Sequence, residues 1–320
     1  MQYEIGRVNF PDFCFTMLLF IEQLLNGLQL GVMLFLMSAG LTLVFGIMQV
    51  INLAHGSFYM IGAYVAATVA VRSGSFLLGL VVALPVAAAV GMLVELTILR
   101  RLYKRDHLDQ VLATFGLIFF FNELTRIIWG RQPLFMDVPP WLGGAVELLP
   151  GVHYPVYRLA IILVGVFVAL FLYLLFSSTR LGMRIRAGAS NRDMVAALGV
   201  NIRLLYTLVF GLGTMLAALA GIMAGPILAV EVGMGESILI LTFVVIVIGG
   251  IGSVRGALVG ALLVGMVDTL GRVYLPDVLS LLVSSSTADT LGASLASMSV
   301  YILMAVVLTC KPAGLFPAQN

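Results

Sequence analysis

The side chains of this 320-residue chain that could carry reaction chemistry are few, and their spacing assembles no reactive centre. The three histidines, His55, His107 and His153, fall on three different loops or helix ends. A nucleophile needs a base within hydrogen-bond reach, and neither a GxSxG elbow nor an HExxH pair supplies one. The sequence has no Walker A glycine loop, so the chain does not bind and hydrolyse ATP through that motif. Cys14 and Cys310 fit no metal cluster or disulfide framework and read as buried or lipid-facing thiols. Five carboxylates, Glu22, Glu95, Glu123, Glu236 and Asp268, lie in or beside apolar runs. Most sit close to a run's end, where water reaches them. Glu95 and Asp268 are the deepest and are expected to be paired and buried. No repeating Asp/Glu/His chain of the kind a proton-coupled pump needs is visible.

Two further groups bear on passage through a membrane. Asn52, His55 and Gly56 stand where the first long apolar run breaks. Asn and His are costly inside a bilayer unless they find partners or line a wet cavity. The turn either lines a wet cavity or caps a helix end. A lone His without a second His or carboxylate beside it is not a metal site. Gly249, Gly250, Gly252 and Gly256 interrupt a later run within eight residues. Glycines let membrane helices approach closely and can also break a helix beside a substrate cavity. Close packing is the better general reading, and Arg255 sets this break near the inner surface. Gly249, Gly250 and Gly252 stay candidates for lining a cavity, beside Asn52, His55 and Gly56.

The elements that must position these residues follow from composition. Hydrophobic residues make up 61% of the chain, charged residues 10%, and mean hydropathy is +1.13. A soluble domain carries about a quarter charged residues, so the exterior here must face lipid. A cytosolic enzyme, a secreted domain, a disordered regulator and a nucleic-acid binder are excluded. A net charge of +2 implies no polyanionic partner. A hydrocarbon core about 30 Å thick needs ~20 apolar residues of helix. The runs at 17–46, 56–71, 76–99, 109–129, 156–177, 204–225, 237–252, 256–272 and 293–310 give an all-α polytopic bundle of about nine spans. With the N-terminus outside and the C-terminus inside, eleven Lys and Arg face inward and six outward, the sense the positive-inside rule requires. Residues 1–16 read as an N-terminal extension rather than a signal peptide, with Met17 a second candidate start. Residues 17–320 read as a single transmembrane domain. The segment 130–155, with five prolines and Trp141, reads as an ordered outer loop.

The inner loop 178–203 reads STRLGMRIRAGASNRDMVAALGVNIR. Arg180 and Arg184, four apart, share one face of a helix. Met194, Ala197 and Leu198 form a short apolar stripe, and Gly199 and then Asn201 end the pattern. One reading is a loop whose arginines only fix topology. The apolar stripe and the terminating glycine favour the other, a compact amphipathic helix that docks a soluble partner.

Here the sequence resembles a known family. Arg180, Gly182, Arg186, Ala187, Leu198, Gly199 and Asn201 match the RxGxxxRA…LGxN pattern of the cytoplasmic coupling segment in branched-chain amino acid ABC transporter permeases. Residues 26–66, including NLAHG, resemble the first helix and N-x-A-H-G turn of those permeases. Residues 244–265 and the closing KPAGLFP at 311–317 are similar to the family's late glycine-rich segment and its C-terminal ending. The resemblance implies a pore subunit of an ABC importer working by alternating access. The coupling segment is then Arg180, Gly182, Arg184, Arg186, Ala187, Met194, Leu198, Gly199 and Asn201. Implied partners are a related second permease, two cytosolic ATPases and a periplasmic binding protein, in a bacterial inner membrane. ATP and magnesium are used by those ATPases, and this chain is expected to hold no cofactor or metal. The family's substrates are branched-chain and other apolar amino acids, with urea and short amides in sister groups. The alternative from another class is a self-sufficient carrier or channel.

Overall fold

A computed structural model describes residues 10–103 and 105–317, without the side chains of residues 10–16. Residues 1–9 of the expected extension and the Cys14 side chain lie outside that description.

In lipid every backbone N–H and C=O must be satisfied within its own segment, so long apolar runs become helices. The first, α1 (Phe10–Met48), starts ahead of residue 17, so part of the expected extension continues the first apolar run as one helix. After a turn come α2 (His55–Ser73) and α3 (Phe76–Val94). The latter passes through a π-helical turn, Glu95–Leu99, into the short α4 (Arg100–Leu102). Next are α5 (His107–Trp129) and α6 (Val156–Ser178). Two short helices, α7 (Arg180–Ser190) and α8 (Arg192–Ala197), precede α9 (Ile202–Ala224). The chain ends with α10 (Met234–Gly249), α11 (Val254–Ser280) and α12 (Ser285–Cys310).

Among the described residues, seven segments are long and apolar enough to cross a membrane: α1 from Met17, α3 through α4, α5, α6, α9, α11 and α12. The two remaining apolar runs are α2 and α10, and both sit largely inside the bundle. The result is an all-α membrane helix bundle with one small departure. Within the loop after α5, β1 (Ala145–Leu149) and β2 (Val152–Pro155) pair antiparallel across a Pro150–Gly151 turn. The expected ordered loop is thus a hairpin. It is tied down by Tyr154, whose hydroxyl donates to Asn26 Oδ1 at 3.2 Å, and by the backbone pair Leu134–Val230.

The centre of the bundle is α1 and α9, whose spans are mostly buried. Apolar attraction between helices is weak in lipid, so small residues that permit close backbone approach decide the packing. Gly27 and Gly31 of α1 lie against α11 at Ala261, Gly265 and Met266; Gly40 lies against Gly213 of α9; Gly62 of α2 lies against Ala218. By contrast α5 and α6 present Phe119, Phe120, Leu163 and Phe167 outward, as lipid-facing helices do.

Candidate functional site

The segment 178–203 folds as two helices, not the single one expected. Asn191 is the reason: its side chain accepts from the Met194 N–H at 3.0 Å and so starts α8 where α7 ends. Thr179 starts α7 by accepting from the Gly182 N–H at 3.0 Å, and Asn201 starts α9 by accepting from the Leu204 N–H at 3.1 Å. Between α8 and α9, Gly199 takes φ +83°, a left-handed conformation that suits glycine. Three polar caps and one glycine therefore fold about 25 residues into a rigid zigzag.

The faces of that zigzag divide cleanly. Gly182, Ile185 and Gly188 of α7 and Val195 of α8 are buried. Gly182 lies directly on the backbone of Leu175 and Phe176, so α7 folds back on the end of α6. Arg180, Arg184, Arg186 and Ala187 are exposed. Met194 and Leu198 are 63% and 78% exposed, large apolar side chains with no cover on this chain. Beside them a groove of about 260 Å³ is bordered by Leu181, Arg184, Leu198, Asn201 and Leu204. The arrangement presents exposed apolar side chains, Met183 among them, together with exposed arginines between α6 and α9.

A second feature lies deeper. Asn52, His55 and Gly56 form the start of α2, with Asn52 and His55 at 0% exposure. Asn52 Oδ1 accepts from the Ala54 N–H at 3.1 Å, a turn bond just ahead of the helix, and no side chain caps the start of α2. Asn52 Nδ2 and both His55 nitrogens have no hydrogen-bond partner among the described residues. Gly56 packs against Gly235, the second residue of α10, and each glycine would drive an added Cβ into the other's carbonyl. The starts of two helices thus meet face to face. A small cavity there is lined by Leu53, Gly56, Met60, Ile118, Asn122, Glu236 and Leu239. Ile118 stands eleven residues from each end of α5, so the meeting point is near the middle of the span. Asn122 Nδ2 donates to Glu236 Oε1 at 2.6 Å, and Glu236 is exposed. A carboxylate open at that depth is costly against lipid and suits a wall that another subunit or water covers. Helix starts that meet at mid-span are also the architecture of many transporter binding sites.

The third group behaves differently. Gly249 packs on Gly256, and Gly250 (φ +107°) and Gly252 (φ +83°) make the corner between α10 and α11. The closing segment lies across it: the Leu315 and Phe316 N–H groups donate to the Ile248 and Gly249 carbonyls, each at 2.9 Å. Gly249, Gly250 and Gly252 are therefore engaged in close backbone packing and do not line the mid-span cavity. Sequence reasoning places Glu236 near a run's end and passes over Asn122. The signal is faint, because the chain from 225 to 233 enters the bundle before α10 begins.

The described residues contain no cluster of three or more His, Cys, Asp or Glu able to hold a metal ion. Residues 23–310 match the family model described as branched-chain amino acid transport system / permease component. The permease protein BraD of Pseudomonas aeruginosa, of the high-affinity branched-chain amino acid transport system, is 29% identical over 310 residues, covering 92% of this chain and 95% of that protein. Its counterpart LivH of Escherichia coli K12 is 28% identical, covering 81% and 88%. The ribose import permease protein RbsC of the same organism is 27% identical, covering 78% and 77%. No solved structure matches the chain. In the transporters to which such permeases belong, ATP hydrolysis lies on separate subunits, so this chain is a transport subunit and not an enzyme. The chain belongs to the branched-chain amino acid permease family and is a multi-pass permease subunit of an ABC importer.

Proposed function

We propose that this chain is one of two related permease halves in a bacterial inner membrane, working with two cytosolic ATPases and a periplasmic binding protein. It spans the membrane nine times, α2 and α10 counted, with the N-terminus outside and the C-terminus inside. The hairpin then faces the periplasm and α7–α8 face the cytosol. ATP and magnesium act on the ATPases alone. The substrate is an apolar amino acid of the branched-chain type, as the names of BraD and LivH suggest.

Coupling runs through α7–α8. ATP binding closes the paired ATPases, and the element seated in them is carried along. Met194 and Leu198 fill an apolar cleft, while Arg180, Arg184 and Arg186 pair with acids at its rim. Gly182 keeps α7 close to α6, Ala187 lies on the exposed face with the arginines, and Gly199 and Asn201 pass the motion directly into α9. The translocation path runs beside the Asn52–His55–Gly56 turn, where the starts of α2 and α10 meet, and the second permease closes its open side. Rocking of α9 against α1 then opens this region alternately to the two faces. Gly249, Gly250 and Gly252 serve as the tight corner that anchors α10 below it.

The observation that carries this reading is the capped pair α7–α8 with Met194 and Leu198 left uncovered. A photo-crosslinking amino acid at position 198 tests it in the assembled importer. The expected product joins this chain to the ATPase; a product with lipid alone contradicts the docking role.

A further inference from the structure

We infer that a buried polar clamp centred on Glu95 locks α3 to α9, so that displacement of α7–α8 moves both helices as one unit. This rests on α7–α8 being the docking element, and it makes Glu95 and Thr207 positioning residues of the transport cycle.

Glu95 is 0% exposed, and both of its carboxylate oxygens are engaged twice. Its Oε1 accepts from Arg100 Nε at 3.2 Å and from the Tyr103 hydroxyl at 2.7 Å. Its Oε2 accepts from Arg100 Nη2 at 3.0 Å and from Thr207 Oγ1 at 2.7 Å. Thr207 in turn accepts from Arg100 Nη2 at 2.8 Å, and the Tyr103 ring stands edge-on to the Tyr206 ring at 5.4 Å. Glu95, Arg100 and Tyr103 lie just beyond the last residue of α3, in the π-helical turn, α4 and its cap. Tyr206 and Thr207 are supplied by the first turns of α9.

The clamp stands close to the point where the docking element joins α9. Asn201 starts α9 immediately after the α8 corner, and Thr207 lies less than two turns further on. The turn that presents Glu95 is π-helical, a local departure found frequently at functional positions. Beyond the clamp, α3 and α9 pack closely, with the Thr214 side chain against Gly91 and the Met92 side chain against Gly211. Packed helices still slide past one another by small shear steps when a protein switches state. Among the described residues, the side-chain hydrogen bonds joining the α3–α4 segment to α9 all belong to the clamp. A buried ion pair is weak evidence for stability, since apolar packing holds helices together as well. Directional bonds saturating one carboxylate do something packing does not: they fix one register between two helices.

The test uses the complete importer in proteoliposomes and reads ATP hydrolysed per substrate imported. Thr207→Val keeps the side chain's shape and removes its bonds to Glu95 and Arg100; Thr207→Ser keeps the hydroxyl. The valine variant is expected to raise the ratio about fivefold, the size of effect seen when a coupling residue is altered, while the serine variant stays at the wild-type ratio. A wild-type ratio in the valine variant, or equal shifts in both, overturns the clamp. A second measurement leaves the clamp intact: spin labels on Leu96→Cys and Leu204→Cys, with Cys14 and Cys310 replaced, report the α3–α9 distance with and without ATP. A constant distance supports the clamp, and a change above about 5 Å, the scale of a one-turn slip, overturns it even if the valine variant fails to assemble. Crosslinking from position 198 in the same preparation separates the two ideas. Its absence removes the docking reading, whereas an intact crosslink with an unchanged ratio removes the clamp alone.

Discussion

Replacing Met194 and Leu198 together by glutamine separates docking from folding. Both side chains are mostly exposed, at 63% and 78%, so the isolated subunit has little to lose. Glutamine is about as good a helix former as methionine or leucine, and exposed substitutions of this kind change stability by no more than about 0.5 kcal/mol. On the proposed docking, the same side chains are buried against the ATPase in the assembled importer. Covering one of this size contributes roughly 1.5–3 kcal/mol, so the pair contributes up to ~6 kcal/mol before ordering costs are subtracted. A net loss of about 3 kcal/mol weakens association roughly a hundredfold. Titrating detergent-solubilised subunit with its ATPase measures this, and a melting curve of the subunit alone supplies the control. Association unchanged, or a melting temperature that falls with the affinity, refutes the reasoning.

Replacing Arg184 and Arg186 by glutamine should slow association at low salt and matter little at high salt, because rim charges act mainly on encounter; stopped-flow binding at two ionic strengths checks this. Gly182→Val should lower the subunit's melting temperature, overpacking costing about 1–3 kcal/mol, because its side chain meets the Leu175 and Phe176 backbone. Gly116→Ala, with nothing within 4 Å of the added carbon, should leave that temperature unchanged or raise it. Glu236→Gln should reduce uptake while the importer still assembles, as co-purification with the ATPase would show; undiminished uptake removes Glu236 from the path. Cysteine introduced at position 147 should label from the periplasmic side and at position 190 only from the cytosol, and the reverse pattern overturns the orientation.

Much of the fold is readable residue by residue because lipid imposes one rule on every segment. Each apolar run in the sequence overlaps one of the helices of 16 residues or more. The caps are also visible: Gly199 and Asn201 end the docking segment as their types require. Asn191 carries the same kind of signal and divides that segment into α7 and α8. Pro150–Gly151, flanked by β-prone residues, similarly marks the hairpin. Burial of Glu95 and Asp268 follows from depth alone; Asp268 lies 2.9 Å from Arg272 one turn away. Sequence does not show who meets whom across the bundle. Thr207 is 112 residues from Glu95, and Gly56 faces Gly235 on another helix. Such pairs depend on packing, which local periodicity does not encode.

The most direct test of the central claim is uptake of a radiolabelled branched-chain amino acid into proteoliposomes that hold this chain with or without its partners. Uptake is expected only when the second permease, the ATPases, the binding protein and ATP are all present. Uptake by this chain alone, running down a substrate gradient without ATP, would contradict the account.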